Sequence, residues 1–567
     1  MGILVLILWL VSTGVLGWYA LTAINLGGYN DKPTSSTARL VASLAVGGFV
    51  FGIGYITMPV LAFNFGGFWL LVILTLSLLG VIWAVRLTMI AAPAMLLAYL
   101  VISFLTTAEM LHSEKYYALL GKEIPAEFSA SLPPIDIDQA PLVSQGMAAR
   151  SMEKRLAEIP GLGSQVSIGE PHKQIVNGHL VWISFLHHTS VVKWFLNETT
   201  PGYVTVSATN PSDVHLVQSL KGVPLKLRYL LSASFGDNAR RHAYRSGLMT
   251  EGLADFSPEI DDEGRPYYVA SLYDHKIGLS GSDVTGVVTI DVQTGEVKKY
   301  SLKNMPKWID LAQPDFFVLD QLTDRGQYVH GWFNPSDKDR VRVSGGMDLV
   351  YSHEGRAYWF AGMTSLSSDA GLVGFVLIDS RTKEVRHFKI AAVTENVAQS
   401  VVEGVNPEKH YSATIPLPFM VDGVPTYVMG LTDSQGVARA YGMVSMQNHQ
   451  VLAVADTLAA TLRVYQAHLS TNKTQADIAT SSKMVTLTAK VSRIGFESRN
   501  NQTTYFLVLE SDADKTLRNR IFTATSDVSE ELVLTHEGDI VQVQISESSA
   551  RIQGVAKFDN TMIGTAP

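Results

Sequence analysis

Gly286-Val-Val-Thr-Ile-Asp-Val-Gln-Thr-Gly-Glu-Val297 decides how the body of this chain is built. The glycine opens an apolar run, Asp291 closes it, and Thr294-Gly295 supplies a tight reversal before a second strand begins at Val297. An Asp at a strand end can accept backbone N–H bonds from the residues just beyond it, so the segment predicts a β-hairpin. Gly374-Phe-Val-Leu-Ile-Asp379-Ser-Arg-Thr382-Lys-Glu384-Val385 repeats it almost position for position.

Working outward, each copy is preceded by a glycine turn followed four residues later by Tyr or Trp. The pairs are Gly178/Trp182, Gly264/Tyr268, Gly355/Trp359 and Gly423/Tyr427. A second glycine then opens an apolar run at Gly202, Gly286, Gly374 and Gly442, giving glycine-to-glycine spacings of 24, 22, 19 and 19. Internal repetition of this kind marks one supersecondary unit used several times. Candidate helices Ser144 to Glu158, Asn238 to Leu248, Pro314 to Asp324 and Glu395 to Val402 precede the copies. A helix laid on an antiparallel sheet is an α+β unit, with the aromatic side chain packing across the sheet onto the helix.

At Asp291 to Val297, and next at Asp379 to Val385, the chain resembles the PepSY family, small modules outside the cytoplasmic membrane in which a helix precedes strands ending in a D-x-x-T-G-E-V hairpin. The first and fourth copies, Ser207-Ala-Thr-Asn210 and Met446-Gln-Asn-His-Gln-Val451, match in pattern only. The resemblance implies a binding or inhibitory module and brings no catalytic residue with it.

The first 111 residues hold only five charged side chains, Asp31, Lys32, Arg39, Arg86 and Glu109. Apolar runs at Ile3 to Leu26, Leu40 to Phe63, Phe68 to Val85 and Leu87 to Thr107 predict four transmembrane helices, with three as the alternative. Without a basic residue before Lys32, the first run reads as a retained helix rather than a cleaved signal. Four spans place the basic loops in the cytoplasm and the body outside the membrane; three reverse this. The glycines at 47, 48, 52, 54, 66 and 67 permit close helix approach.

Beyond a polar linker at 471–482, five short strands (Val485 to Ile494, Tyr505 to Glu510, Ile521 to Ala524, Ile540 to Ile545 and Ala550 to Phe558) suit a small OB-like barrel. Residues 483–559 hold nine Lys+Arg against eleven Asp+Glu, and Phe496, Tyr505, Phe522 and Phe558 as aromatics. That balance argues against nucleic acid, which wants a basic groove and stacking platforms.

No catalytic signature accompanies these features. Gly121-Lys122 is followed by Glu123, not by the Ser or Thr of a phosphate loop, and Gly278-Leu-Ser280-Gly-Ser282 lacks the last glycine of a nucleophile elbow. Glu259-Ile-Asp261-Asp262-Glu263-Gly264 has Ala270 where a calcium loop needs Glu, and reads as a solvated turn. His187 and His188 are neighbours on a strand and point to opposite faces, so they cannot chelate together. Arg240-Arg241-His242 with Arg245 is a basic cluster on a helix, either a solvated face or a contact for an acidic partner or lipid headgroups.

The fold expected is therefore a transmembrane bundle at 1–111, a linker at 112–142, α+β repeats at 143–230, 231–310, 311–392 and 393–470, the linker 471–482, and a barrel at 483–560. The positions defining the repeats are Gly178, Trp182, Gly264, Tyr268, Asp291, Gly355, Trp359, Asp379, Gly423 and Tyr427. No catalytic, metal or cofactor residue is expected. The function expected is a non-enzymatic integral membrane scaffold of the bacterial inner membrane, partnered by membrane lipid, its own copies or another envelope protein. A channel or transport component, a PepSY-like peptidase regulator and a barrel-based nucleic-acid binder are the alternatives.

Overall fold

The computed structural model describes residues 36–83, 86–126, 141–351, 356–366, 371–472, 484–499, 502–511, 517, 519–526, 528–546 and 552–563. The chain divides into two compact units. The first comprises Met1–Pro125, Val143–Ser367 and Phe375–His387; the second comprises Ala126–Leu142, Ser368–Gly374 and Phe388–Pro567.

The N-terminal helices correct the expected transmembrane bundle. They are α1 (Ser36–Thr57), α2 (Gly66–Trp83), α3 (Arg86–Thr107) and α4 (Glu109–Leu119). Among the described residues no single helix is long and apolar enough to cross a membrane, and one bent pair, Pro93–Thr107 with Glu109–Leu119 at 50°, passes by length and composition alone. The apolar parts of α1 and α2 are Ser43–Thr57 and Gly66–Leu79. At ~1.5 Å per residue neither reaches the ~30 Å of a hydrocarbon core. The expected span Leu40 to Phe63 stops early because Met58 takes a left-handed φ of 47° directly before Pro59, which ends a helix. The run Leu87 to Thr107 contains Pro93. The integral membrane assignment, and the sidedness built on Lys32, Arg39 and Arg86, fall with these spans; Ile3 to Leu26 lies outside the described residues.

In the first unit, α5 (Gln145–Ala157) precedes a five-stranded sheet centred on His179–His188. A short α6 (Val191–Asn197) leads from that strand towards Tyr203–Ser207. Next, α7 (Ala239–Arg245) precedes a four-stranded meander, Gly252–Ile260, Pro266–Ile277, Ser280–Asp291 and Val297–Ser301. Then α8 (Asp315–Gln327) precedes Val341–Val343, Asp348–Tyr351, Ala357–Ser365, Gly371–Asp379 and Val385–Val393, of which 371–374 and 388–393 belong to the second unit, with Glu123–Pro125 parallel to the start of the last strand. Ile183, Phe185 and Tyr203 of the first sheet share one core with Tyr268, Leu272 and Ile290 of the second.

In the second unit, α9 (Glu395–Glu403) precedes the strands Leu417–Val421, Val424–Thr432, Ala438–Ser445 and Leu452–Ala455. The helix α10 (Leu458–Asn472) seals them, with Tyr465 Oη 2.9 Å from Thr426 Oγ1. Met484–Arg499, Gln502–Glu510, Ile521–Thr525, Ile540–Ser546 and Ile552–Asn560 close into a five-stranded barrel around Val491, Leu507, Phe522 and Val543.

The backbone hydrogen bonds show what the repeated residues do. Asp291 Oδ1 accepts from the N–H of Gln293 and Thr294 (2.8 and 2.9 Å), and Asp379 Oδ1 accepts from those of Arg381 and Thr382 (3.0 and 2.8 Å). In the copies without Asp, Ser207 Oγ accepts from Thr209 and Asn210, and Ser445 Oγ from Gln447 and Asn448. The next residue in every copy, Ala208, Val292, Ser380 or Met446, donates its N–H to the start of the neighbouring strand, at Leu180, Pro266, Ala357 and Pro425. Its carbonyl accepts from the chain that leads into the helix: from Val143, from Arg228 and Tyr229, from Gln313, and from Val393.

Candidate docking surface

The aromatic of each repeat closes this lock. Trp182 Nε1 donates to Val143 O (2.8 Å), Trp359 Nε1 to Gln313 O (2.8 Å) and Tyr427 Oη to Val393 O (3.3 Å). Each acceptor is the residue immediately before a helix cap, namely Ser144, Pro314 and Thr394. Tyr268 instead bonds the backbone at Leu231 and lies 2.8 Å from His187 Nε2. Here a longer segment separates the lock from the helix, which begins only after Asn238. Gly178, Gly264 and Gly423 adopt φ of 80°, 82° and 79°, the left-handed turn that glycine permits. Gly355 lies outside the described residues. These positions hold the shape of the repeats.

A buried polar joint ties the first three repeats together. Gln174 donates to Ile260 O (2.8 Å) and Trp308 O (2.9 Å) and accepts from Ile260 N–H (2.9 Å). Asp310 Oδ2 accepts from Ile175 N–H (2.7 Å), its carbonyl accepts from Ser380 Oγ (2.6 Å), and Tyr351 Oη donates to Lys173 O (2.9 Å). Glu259, fully buried beside it, accepts from Ser257 Oγ and carries one oxygen with no partner. The sequence places Glu259 in a solvated turn; the structure places it inside, on the strand Gly252–Ile260. Burial raises the Glu259 pKa, with the Asp310 charge adding to it, and burial pushes Asp310 up to about 7. Burial of this kind favours the protonated form of a carboxyl.

The exposed chemistry lies elsewhere in the first unit. On α6, Val191, Val192, Phe195 and Leu196 are 62%, 66%, 75% and 69% exposed, and Phe235 beside them is 63% exposed. Trp194 packs on Phe235 with ring centroids 5.8 Å apart. Arg241 donates to Phe235 O (2.9 Å) and lies over the Tyr55 ring at 4.4 Å, while Tyr244 Oη donates to Pro59 O (2.6 Å). The basic cluster of α7 is thus the seam between α6 and the end of α1. On α1 and α3 themselves, Leu40, Leu44, Phe51, Leu97 and Phe104 are exposed. A Cβ built on Gly47, Gly48, Gly52 or Gly54 meets nothing within 4 Å among the described residues.

The remaining sequence candidates disperse. His187 is buried against Tyr268, its pKa lowered to about 4 by burial. Ser282 lies 3.3 Å from His275 Nδ1 beside the turn that closes a hairpin, and its carbonyl accepts from Gln321. In the barrel Tyr505, Phe522 and Phe558 are buried and Phe496 is exposed. Among the described residues no three His, Cys, Asp or Glu side chains are grouped to hold a metal.

No family model and no curated protein matches the chain. Among solved structures it shows slight likeness to an ACO/RPE65 chimera (10% identity, 52% of this chain and 51% of that one). Two others are the polysaccharide lyase Uly1 (9%, 63% and 58%) and a β-fructofuranosidase of Bombyx mori (9%, 64% and 62%). The chain thus spans about half the length of the first of these. At TM-scores of 0.14, 0.14 and 0.13, neither fold nor role is carried over.

Proposed function

We propose that the protein is a non-enzymatic scaffold that assembles with its own copies, the repeats supplying a stiff body and the N-terminal helices the contact. The observation that carries this is the set of large apolar side chains left exposed on α1 and α3, Leu40, Leu44, Phe51, Leu97 and Phe104. Exposed apolar surface on this scale marks an interaction site. From Leu40 to Thr57 the sequence has no charged residue, so the partner surface must be as apolar as this one. The same face on a second copy meets that demand, in the self-complementary manner of a twofold interface. The open glycines of α1 allow the two helices to come close.

Because the chain contains no cysteine, a single one reports contact directly. Ala45→Cys on α1 should form a disulfide-linked dimer on mild oxidation, while Asn210→Cys, in an exposed turn, should not. Equal cross-linking at both positions, or none at Ala45→Cys, counts against the proposal.

A further inference from the structure

The surface around α6 differs from the helix face just described, because basic side chains accompany its apolar ones. We propose that it adsorbs to a membrane surface rich in anionic lipid headgroups. Val191, Val192, Phe195, Leu196 and Phe235 are each at least 62% exposed, so they protrude and do not line a groove that a peptide could fill. Protruding apolar and aromatic side chains suit the boundary between headgroups and acyl chains. Lys193 lies on α6 itself with Glu198 at its end, Arg241 bonds Phe235 O with Arg240 and Arg245 on the same helix α7, and Arg228 pairs with Asp237 at 3.1 Å. The local balance is +5 −2 = +3 on a chain whose net charge is −8. A basic patch on an acidic protein complements an anionic surface, each such residue strengthening adsorption about fivefold. Arg241 is held in place by Phe235 O and the Tyr55 ring, and Arg240 lies over the Phe256 ring at 5.1 Å while staying exposed, so Arg245 and the outer edge of Arg240 face the headgroups. Adsorption requires no helix to cross the membrane, and it is independent of self-assembly through α1.

The test uses the full chain with an environment-sensitive dye on Val192→Cys, and on Asn210→Cys as the control. Phosphatidylcholine vesicles containing phosphatidylglycerol should shift the emission of the dye at 192 to the blue, and leave the dye at 210 unchanged. High salt should reverse the shift. Arg240→Gln with Arg245→Gln should weaken binding by about 25-fold, and Phe195→Ser with Leu196→Ser by about tenfold or more. An unchanged dye at 192, or an equal response to vesicles of phosphatidylcholine alone, overturns the proposal. A shift that follows protein concentration without vesicles overturns it too, and assigns the patch to a second copy.

Discussion

Ser207, Asp291, Asp379 and Ser445 occupy equivalent places, and each accepts two backbone N–H groups two and three residues ahead. Asp291→Ala or Asp379→Ala removes a charge-assisted acceptor and should cost about 1–3 kcal/mol in denaturant unfolding. Asp291→Ser should recover most of that loss, since serine serves in two sister copies; equal losses for Ala and Ser would show the turn to be indifferent to its acceptor. The Asp form was legible from spacing and residue type. The serine form was not, because a hydroxyl followed by polar residues looks the same in any loop. Asp310 gives a pH signature. Its folded pKa, about 7, lies above the ordinary 3.8, so the folded chain holds a proton that the unfolded chain has released. The stabilisation is whole below about pH 4 and is lost as pH rises to about 7, by at most ~1.4 kcal/mol per unit. Asp310→Asn keeps an acceptor for Ile175 N–H and should flatten this fall; urea midpoints with the same pH slope in both proteins would contradict it.

At the level of elements, helix starts are fixed by strand aromatics. Trp359→Phe keeps the ring in its core but leaves the Gln313 carbonyl unpaired, which should cost about 1–3 kcal/mol, and Trp182→Phe should behave alike at Val143. Loss below a few tenths of a kcal/mol in both would show the bond to be incidental. Gly202→Ala should be worse than either, because φ is 143° and a Cβ would land on Val217 O of the adjacent strand. The same steric demand explains Gly286 against Tyr300 O. Helices beginning after Ser144, Asn238 and Thr394 could be read from cap residues followed by apolar periodicity. The runs Phe68 to Val85 and Leu87 to Thr107 likewise fall on the helices α2 and α3, Pro93 lying inside the latter, whereas Leu40 to Phe63 overshoots α1 because apolar content alone does not show the break at Met58 and Pro59. Glu259 was misplaced because an acidic string at a turn hides the residue that alternation turns inward.

For the whole molecule, the buried joint of Gln174, Glu259 and Asp310 makes the first three repeats one body, while charge-poor helices carry exposed leucine and phenylalanine. The first feature holds those three repeats together, and the second is the face proposed for contact with another copy. None of this was available from composition, which marks residues 1–111 as apolar without saying what covers them. The account rests on self-assembly through that face. Its most direct test is the mass of the full chain in solution by light scattering over a wide concentration range, beside Leu44→Asn with Phe51→Ser. The account predicts a dimer or larger species that the paired substitutions shift towards monomer; a monomer at every concentration, with the variant indistinguishable from it, would contradict it.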